Sequence, residues 1–169
     1  GDANRLVTLP MEVRDQLRSV MTDIAINQWR TYAKPPTLDN AVVTDASTIG
    51  FGAVFKSPLG VTASSATIPK RLCDAHINVL ETEAVLRAVR EVSPGSYWII
   101  TDNTTVYYNL RSGLGARSLL PSMSRLFKTM AERRVCLFPL WTTTANMASN
   151  GADALSRSGV NESRLLVTT

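Results

Sequence analysis

The chain has one histidine, His76, and two cysteines, Cys73 and Cys136, in 169 residues. A single imidazole leaves a Ser/His/Asp triad poorly supported and a His/Cys zinc site without its ligands. The cysteines stand far apart and lack metal-binding spacing. One disulfide is the alternative to two free thiols, and free thiols in a reducing, intracellular compartment are the expectation. Apolar runs stop short of the roughly 20 residues a membrane helix needs, and no signal-peptide pattern is visible, so no membrane partner is expected. Internal repeats and low-complexity tracts are also missing. What is there is 44% hydrophobic residues, enough for a core in one domain, and a formal charge of +4 with pI near 9.4. Such a balance suits a polyanionic partner and equally suits an ordinary basic surface. The abrupt start at Gly1 leads us to expect a domain cut from a longer polyprotein.

Residues 8–28 read as a helix, because Val13, Leu17, Val20, Met21 and Ile24 recur at steps of three and four. Thr8 and Pro10 suit its first turn, and Lys34-Pro35-Pro36 ends the element after Trp29 and Tyr32. The texture then changes to strands. Residues 41–45, 50–56 and 60–68 predict an antiparallel meander with Ser57-Pro58-Leu59-Gly60 as a turn. Residues 77–91 predict the clearest helix, burying Val79, Leu80, Ala84, Val85 or Leu86, Ala88 and Val89. Residues 97–101 predict a strand buried on both faces, parallel to the first because a helix crosses over between them. A short helix over 103–110, a loop at 112–115, a long helix over 119–134 and a strand over 135–141 follow. In the long helix, Leu119, Leu120, Met123, Leu126, Phe127 and Met130 are expected inward. Residues 142–150 read as a mobile polar loop, 150–157 as a helix start and the rest as a weakly ordered tail. The order implies an α/β mixed sheet with helices on its faces.

Four carboxylates stand out, each in its own phrase. They are Asp45 in VVTDASTIGFGAVF, Glu81 in HINVLETEAVLRAV, Asp102 in YWIITDNTTVYYNL and Asp153 in NGADALSR. Singly each has a plain explanation: Asp45 as a turn residue, Glu81 as a solvated helix face with Glu83 as its rival, Asp102 as a helix cap, Asp153 as a cap or surface acid. Together they are placed to meet beyond the carboxyl ends of neighbouring parallel strands, where sites form in open α/β sheets. Crowded carboxylates repel one another, and divalent cations remove that conflict; oxygen-only ligands suit Mg²⁺ or Mn²⁺. Two such ions, roughly 3.5–4 Å apart, serve hydrolysis of a phosphodiester without a serine or cysteine nucleophile.

The phrases TDAS-x-x-GFGAVF, HINVLE-x-x-A, ITDNTT and ADALSR resemble the ribonuclease H domain attached to retroelement reverse transcriptases, in particular that of tyrosine-recombinase retrotransposons of the DIRS group and the related VIPER elements. The leading LPMEVRDQL…W segment is similar to the helix those polyproteins carry before this domain. The resemblance covers about residues 8–157. It implies a ribonuclease H-like fold with a mixed five-stranded sheet flanked by helices and one extra N-terminal helix. It also implies an extension over 1–38 from the polymerase side, a ribonuclease H domain over 39–157 and a tail over 158–169. By the same resemblance Asp45, Glu81, Asp102 and Asp153 are catalytic and hold two Mg²⁺ or Mn²⁺ ions; Glu81 is preferred to Glu83 because the pattern is Glu-x-x-Ala. The implied activity is cutting the RNA strand of an RNA–DNA hybrid during reverse transcription. The implied partners are the hybrid and the polymerase domain of the same polyprotein, with the isolated domain a monomer. The family's loop histidine, ten residues before the last acid, is replaced by Thr143, which implies a slower enzyme. A catalytically weak module that binds hybrid or scaffolds the polymerase is the alternative. An integrase or resolvase is disfavoured by the position of Glu81 and by ADALSR.

Substrate contacts are expected from Ser47, Asn103 and Thr104 beside the acids, and from Lys70 and Arg71 before the crossover helix. Trp98 and Trp141 read as core residues, the two cysteines as packing residues and His76 as a cap or packed imidazole.

Overall fold

The computed structural model describes residues 8, 10–26, 35–113, 117–157 and 165–167. Trp29, Tyr32 and Lys34 of the leading segment, Leu114 and Gly115 of the expected loop, and most of the tail lie outside them. Helix α1 spans Met11–Ile26. Strands β1 (Ala41–Ala46), β2 (Gly50–Ser57) and β3 (Gly60–Thr67) form the antiparallel meander. Its tight turn rests on Ser57, whose hydroxyl accepts from the Leu59 N–H, and on Gly60, whose φ of +133° strains any side chain. Helix α2 (Ile77–Glu91) crosses to β4 (Gly95–Thr101), then come α3 (Thr104–Ser112), α4 (Leu120–Arg133) and β5 (Val135–Trp141). Short helices α5 (Thr144–Asn150) and α6 (Ala152–Arg157) follow, and β6 (Leu165–Val167) closes the order.

The sheet runs β5-β4-β1-β2-β3-β6. The parallel β1–β4 pair follows from the helical crossover, with Val42 opposite Ile99. The five expected strands are joined by a sixth in the segment read as a weakly ordered tail: β6 pairs antiparallel with β3, Val61 opposite Val167. On one face Val42, Phe55 and Ile99 pack with Leu86 and Val89 of α2, Val106 of α3 and Leu126 and Met130 of α4. Their neighbours in the strands, Val43, Val54 and Ile100, turn to the other face and meet Met147 of α5 and Ala152 of α6. This is the two-residue alternation of a strand covered unequally on its two sides. It explains why β4, expected to be buried throughout, buries Ile99 and Thr101 and leaves Trp98 and Ile100 half-buried.

Three further expectations change. Residues 144–150 are a helix, not a loop: Thr143 caps it by accepting from the Asn146 N–H, and Met147 is its buried anchor. One apolar side chain in a polar segment gives no periodic signal. The apolar stripe of α1 is not buried; Val13, Leu17, Val20 and Met21 are exposed, and Ile24 falls outside the described side chains. The flank that carries Glu12, Asp15 and Arg18 lines, with Leu120, Ser124 and Lys128 of α4, a cleft of about 500 Å³. Trp141 is not core but 49% exposed at the end of edge strand β5.

Candidate metal centre

The parallel pairing of β1 and β4 sets their carboxyl ends side by side, so Asp45 near the end of β1 and Asp102 just past β4 become neighbours. Helix α2 starts over the same end, because His76 caps it by accepting the Asn78 N–H at Nδ1, 3.2 Å away. Glu81 therefore enters from the second turn. Ligand atoms of Asp45, Glu81 and Asp102 all lie within 4.8 Å of one another. Asp102 is not the cap of α3; Asn103 takes that role, accepting from the Val106 N–H at 3.0 Å, and Asp102 is left for the cluster.

The cluster is electrostatically uncomfortable. Asp45 is 7% and Glu81 4% exposed. Burial, then the negative charges of Asp45 and Asp102, push the Glu81 carboxyl from its ordinary value of 4.5 up to about 9, although the Ala46 N–H opposes this. Burial also raises the Asp45 carboxyl, with Asp102 and Asp153 adding to the rise and the Ser156 hydrogen bond and the Arg157 charge opposing it. Glu81 Oε2 is buried with no hydrogen-bond partner among the described residues. An orphaned carboxylate oxygen beside two further acids fits an oxygen-ligated divalent cation, which supplies the countercharge and the missing partner at once.

The fourth acid arrives differently. Asp153 lies in α6, 29% exposed at its side chain, with Oδ1 bonded to Arg157 Nε at 2.8 Å. It stands outside the three-acid group, close enough to act on Asp45 through its charge. Helix α6 reaches this place over two glycines of β2. A Cβ at Gly52, which pairs in register with Asp45, would sit 2.2 Å from the Ala152 carbonyl oxygen and 2.7 Å from the Ser156 nitrogen; at Gly50 it would meet the Ser156 carbonyl oxygen at 2.6 Å. The GFG phrase is thus a seat for the C-terminal helix. Ser156, wholly buried, approaches Asp45 Oδ2 at 2.6 Å. Sequence reasoning missed this serine although it lies within ADALSR, three residues after the acid.

The residues expected to touch substrate divide. Ser47 is used internally: its hydroxyl donates to the Ser156 carbonyl at 2.7 Å and accepts from the Gly50 N–H. Asn103 spends its side chain on the α3 cap and on Asn78, to whose Oδ1 it donates at 2.9 Å. Asn78, in the first turn of α2, was not anticipated; it also reaches Thr105 at 3.4 Å. Thr104 and Lys70 are exposed. Arg71 is tied to the buried Glu83 at 2.8 Å, and Arg125 of α4 approaches the other oxygen of that carboxylate at 3.4 Å. Trp141 donates its indole N–H to the Asp102 carbonyl at 3.1 Å. Both cysteines are free thiols, Cys73 exposed rather than packed and Cys136 half-buried.

No protein-family model matches the sequence, and no curated protein matches it. Solved structures do match the fold. LC11-RNase H1 in complex with an RNA/DNA hybrid aligns with a TM-score of 0.55 at 20% identity, over 68% of this chain and 91% of that one. RNase H1 from the halophilic archaeon Halobacterium salinarum aligns with a TM-score of 0.56 at 19% identity, over 69% and 92%. The foamy viral protease-reverse transcriptase in complex with an RNA/DNA hybrid aligns with a TM-score of 0.51 at 16% identity, over 76% of this chain and 21% of that one. The mixed sheet, its flanking helices and this likeness together make the architecture a ribonuclease H-like fold.

Proposed function

We propose that the chain is a ribonuclease H that cuts the RNA strand of RNA–DNA hybrids. The observation that carries this reading is the convergence of Asp45, Glu81 and Asp102 beyond the ends of β1 and β4, with a buried Glu81 oxygen lacking a partner. Asp45, Glu81 and Asp102, joined by Asp153, would hold Mg²⁺ or Mn²⁺. When bound, two such ions supply activation of a water and stabilisation of the leaving 3′ oxygen. The protein's own part is positional. The strand ends and the capped start of α2 hold three acids together before any ion arrives. Asp153, whose Oδ1 is paired with Arg157, would join them through its other carboxylate oxygen.

A hybrid presents phosphates and 2′-hydroxyls. Thr104, exposed beside Asp102, and Asn103, whose amide keeps one N–H beyond its bonds to Val106 and Asn78, are assigned to the RNA strand; Lys70 and the exposed part of Arg71 are assigned to phosphates. The sequence phrases support a retroelement of the DIRS or VIPER type, with residues 39–157 as the ribonuclease domain, 1–38 as the polymerase-side extension and the polymerase domain as its partner. Among the described residues no helix is long and apolar enough to cross a membrane. A non-cutting module that binds hybrid is the second reading. It is favoured by Thr143, which serves as a helix cap where the family has histidine. The deciding assay is cleavage of a labelled RNA–DNA hybrid with Mg²⁺ or Mn²⁺, beside an Asp102→Asn control. Cutting by the parent alone supports the ribonuclease. A folded parent that binds hybrid but never cuts it, even with high Mn²⁺, supports the second reading.

A further inference from the structure

We propose that the buried hydroxyl of Ser156 sets the orientation of the Asp45 carboxylate for a divalent cation, so that α6 contributes a positioning residue as well as an acid. The inference rests on the metal-centre reading above and adds a residue to it.

Ser156 Oγ lies 2.6 Å from Asp45 Oδ2 and 2.9 Å from the Asp153 carbonyl oxygen. A serine hydroxyl carries one proton, and an ionised carboxylate only accepts. Two oxygens 2.6 Å apart repel unless a proton lies between them, so the proton belongs on the Asp45 side. A charge-assisted bond of this length is also stronger than a neutral helix-internal bond to a carbonyl. One lone pair of Oδ2 is then fixed, which restrains rotation of the carboxylate and leaves Oδ1 and the second Oδ2 lone pair for an ion.

The contact is built, not incidental. It joins residues 111 positions apart, and Ser156 is 0% exposed. Three positions hold it in place: Gly50 and Gly52 make room that any Cβ would fill, and Ser47 donates to the Ser156 carbonyl. A helix held only for Asp153, one turn earlier and nearer solvent, has no need of a buried hydroxyl aimed at another acid.

The test is Mn²⁺ binding to the whole chain by titration calorimetry, comparing the parent with Ser156→Ala and Ser156→Cys and using Asp45→Asn to define binding at this centre. Loss of an orienting hydrogen bond behind a metal ligand typically weakens affinity by about 10–100-fold, and that loss is expected in the alanine variant when binding is measured well below its own melting temperature. The thiol fills the hydroxyl's place but donates poorly, so the cysteine variant, which decides the matter should alanine not fold, is expected to weaken binding too. A folded variant with parental affinity overturns the inference, as does a parent whose Mn²⁺ binding survives Asp45→Asn. A parent that binds Mn²⁺ in a Ser156-dependent way yet leaves hybrid uncut supports the inference and overturns the ribonuclease reading alone.

Discussion

Two glutamates on α2, two residues apart, are both buried and meet opposite fates. Glu83 faces α4 and the turn before α2, where Arg71 and Arg125 neutralise it. Glu81, about 200° around the helix, faces Asp45 and Asp102 and has no cation beside it among the described residues. The fold pairs one carboxylate with two arginines and sets the other among acids. A buried charge is tolerable when paired; a buried acid placed among other acids is tolerable only when protonated or when an ion from solution joins it. The difference separates a residue that holds α2, α4 and the preceding turn together from one that, on the proposed function, would take a divalent cation.

Substitution should break the comparison cleanly. Glu81→Gln is expected to lower hybrid cleavage by about a thousandfold, equivalent to the several kcal/mol a metal ligand set contributes to the transition state. The same change should leave metal-free stability equal or higher at neutral pH, because it removes a carboxyl that the fold holds only at the cost of protonating it. Glu83→Ala should do the reverse, costing about 2–3 kcal/mol in denaturant unfolding for the loss of charge-assisted bonds while leaving Mn²⁺ affinity intact. A Glu83 variant that loses Mn²⁺ affinity at full stability would erase the distinction.

The pH dependence sharpens it further. Glu81 has a folded pKa of about 9 against an ordinary 4.5. Between those values the folded state binds more protons than the unfolded one, so metal-free stability should fall as pH rises from about 4.5 to 9. Asp45 is raised as well and acts in the same direction. Saturating Mg²⁺ should flatten this slope, and Glu81→Gln should abolish most of it; a metal-free slope of opposite sign, measured by chemical denaturation, would contradict the assignment. The smallest effect is expected at Thr143. Thr143→Ala removes the cap of α5 and should cost about 1 kcal/mol, read as a modest drop in melting temperature with the three-acid cluster unchanged.

Much was legible where local pattern and burial coincide. The apolar spacing of α2 and α4 matches their buried sides at Leu80, Ala84, Val85, Val89, Met123, Leu126 and Met130, and the helical crossover made β1 and β4 parallel. Three of the four acids could be placed together because strand ends and a helix start are local features. Illegible were contacts that join distant segments without a repeating signal. Ser47 looked ready for substrate because nothing nearby shows that its hydroxyl would meet the Ser156 carbonyl. Arg71 looked free because Glu83, weighed only as the rival of Glu81, gave no sign that it would be buried against an arginine. The stripe on α1 is a sound helical signal, yet the helix meets α4 through a polar flank, since periodicity states that a face is apolar and not what it will touch.

The sequence by itself determined the first five strands and the helices between them, that the first and fourth strands run parallel, and which acids stand at their ends, because spacing, turn residues and crossover geometry act over a few residues or one unit of structure. Only the tertiary structure decided which carboxylate is neutralised from within, which hydroxyl is spent on packing, and that α6 lies close enough over Gly50 and Gly52 to bring Ser156 to Asp45. Those outcomes depend on ångström-scale approach between segments a hundred residues apart, and no local pattern encodes such a distance.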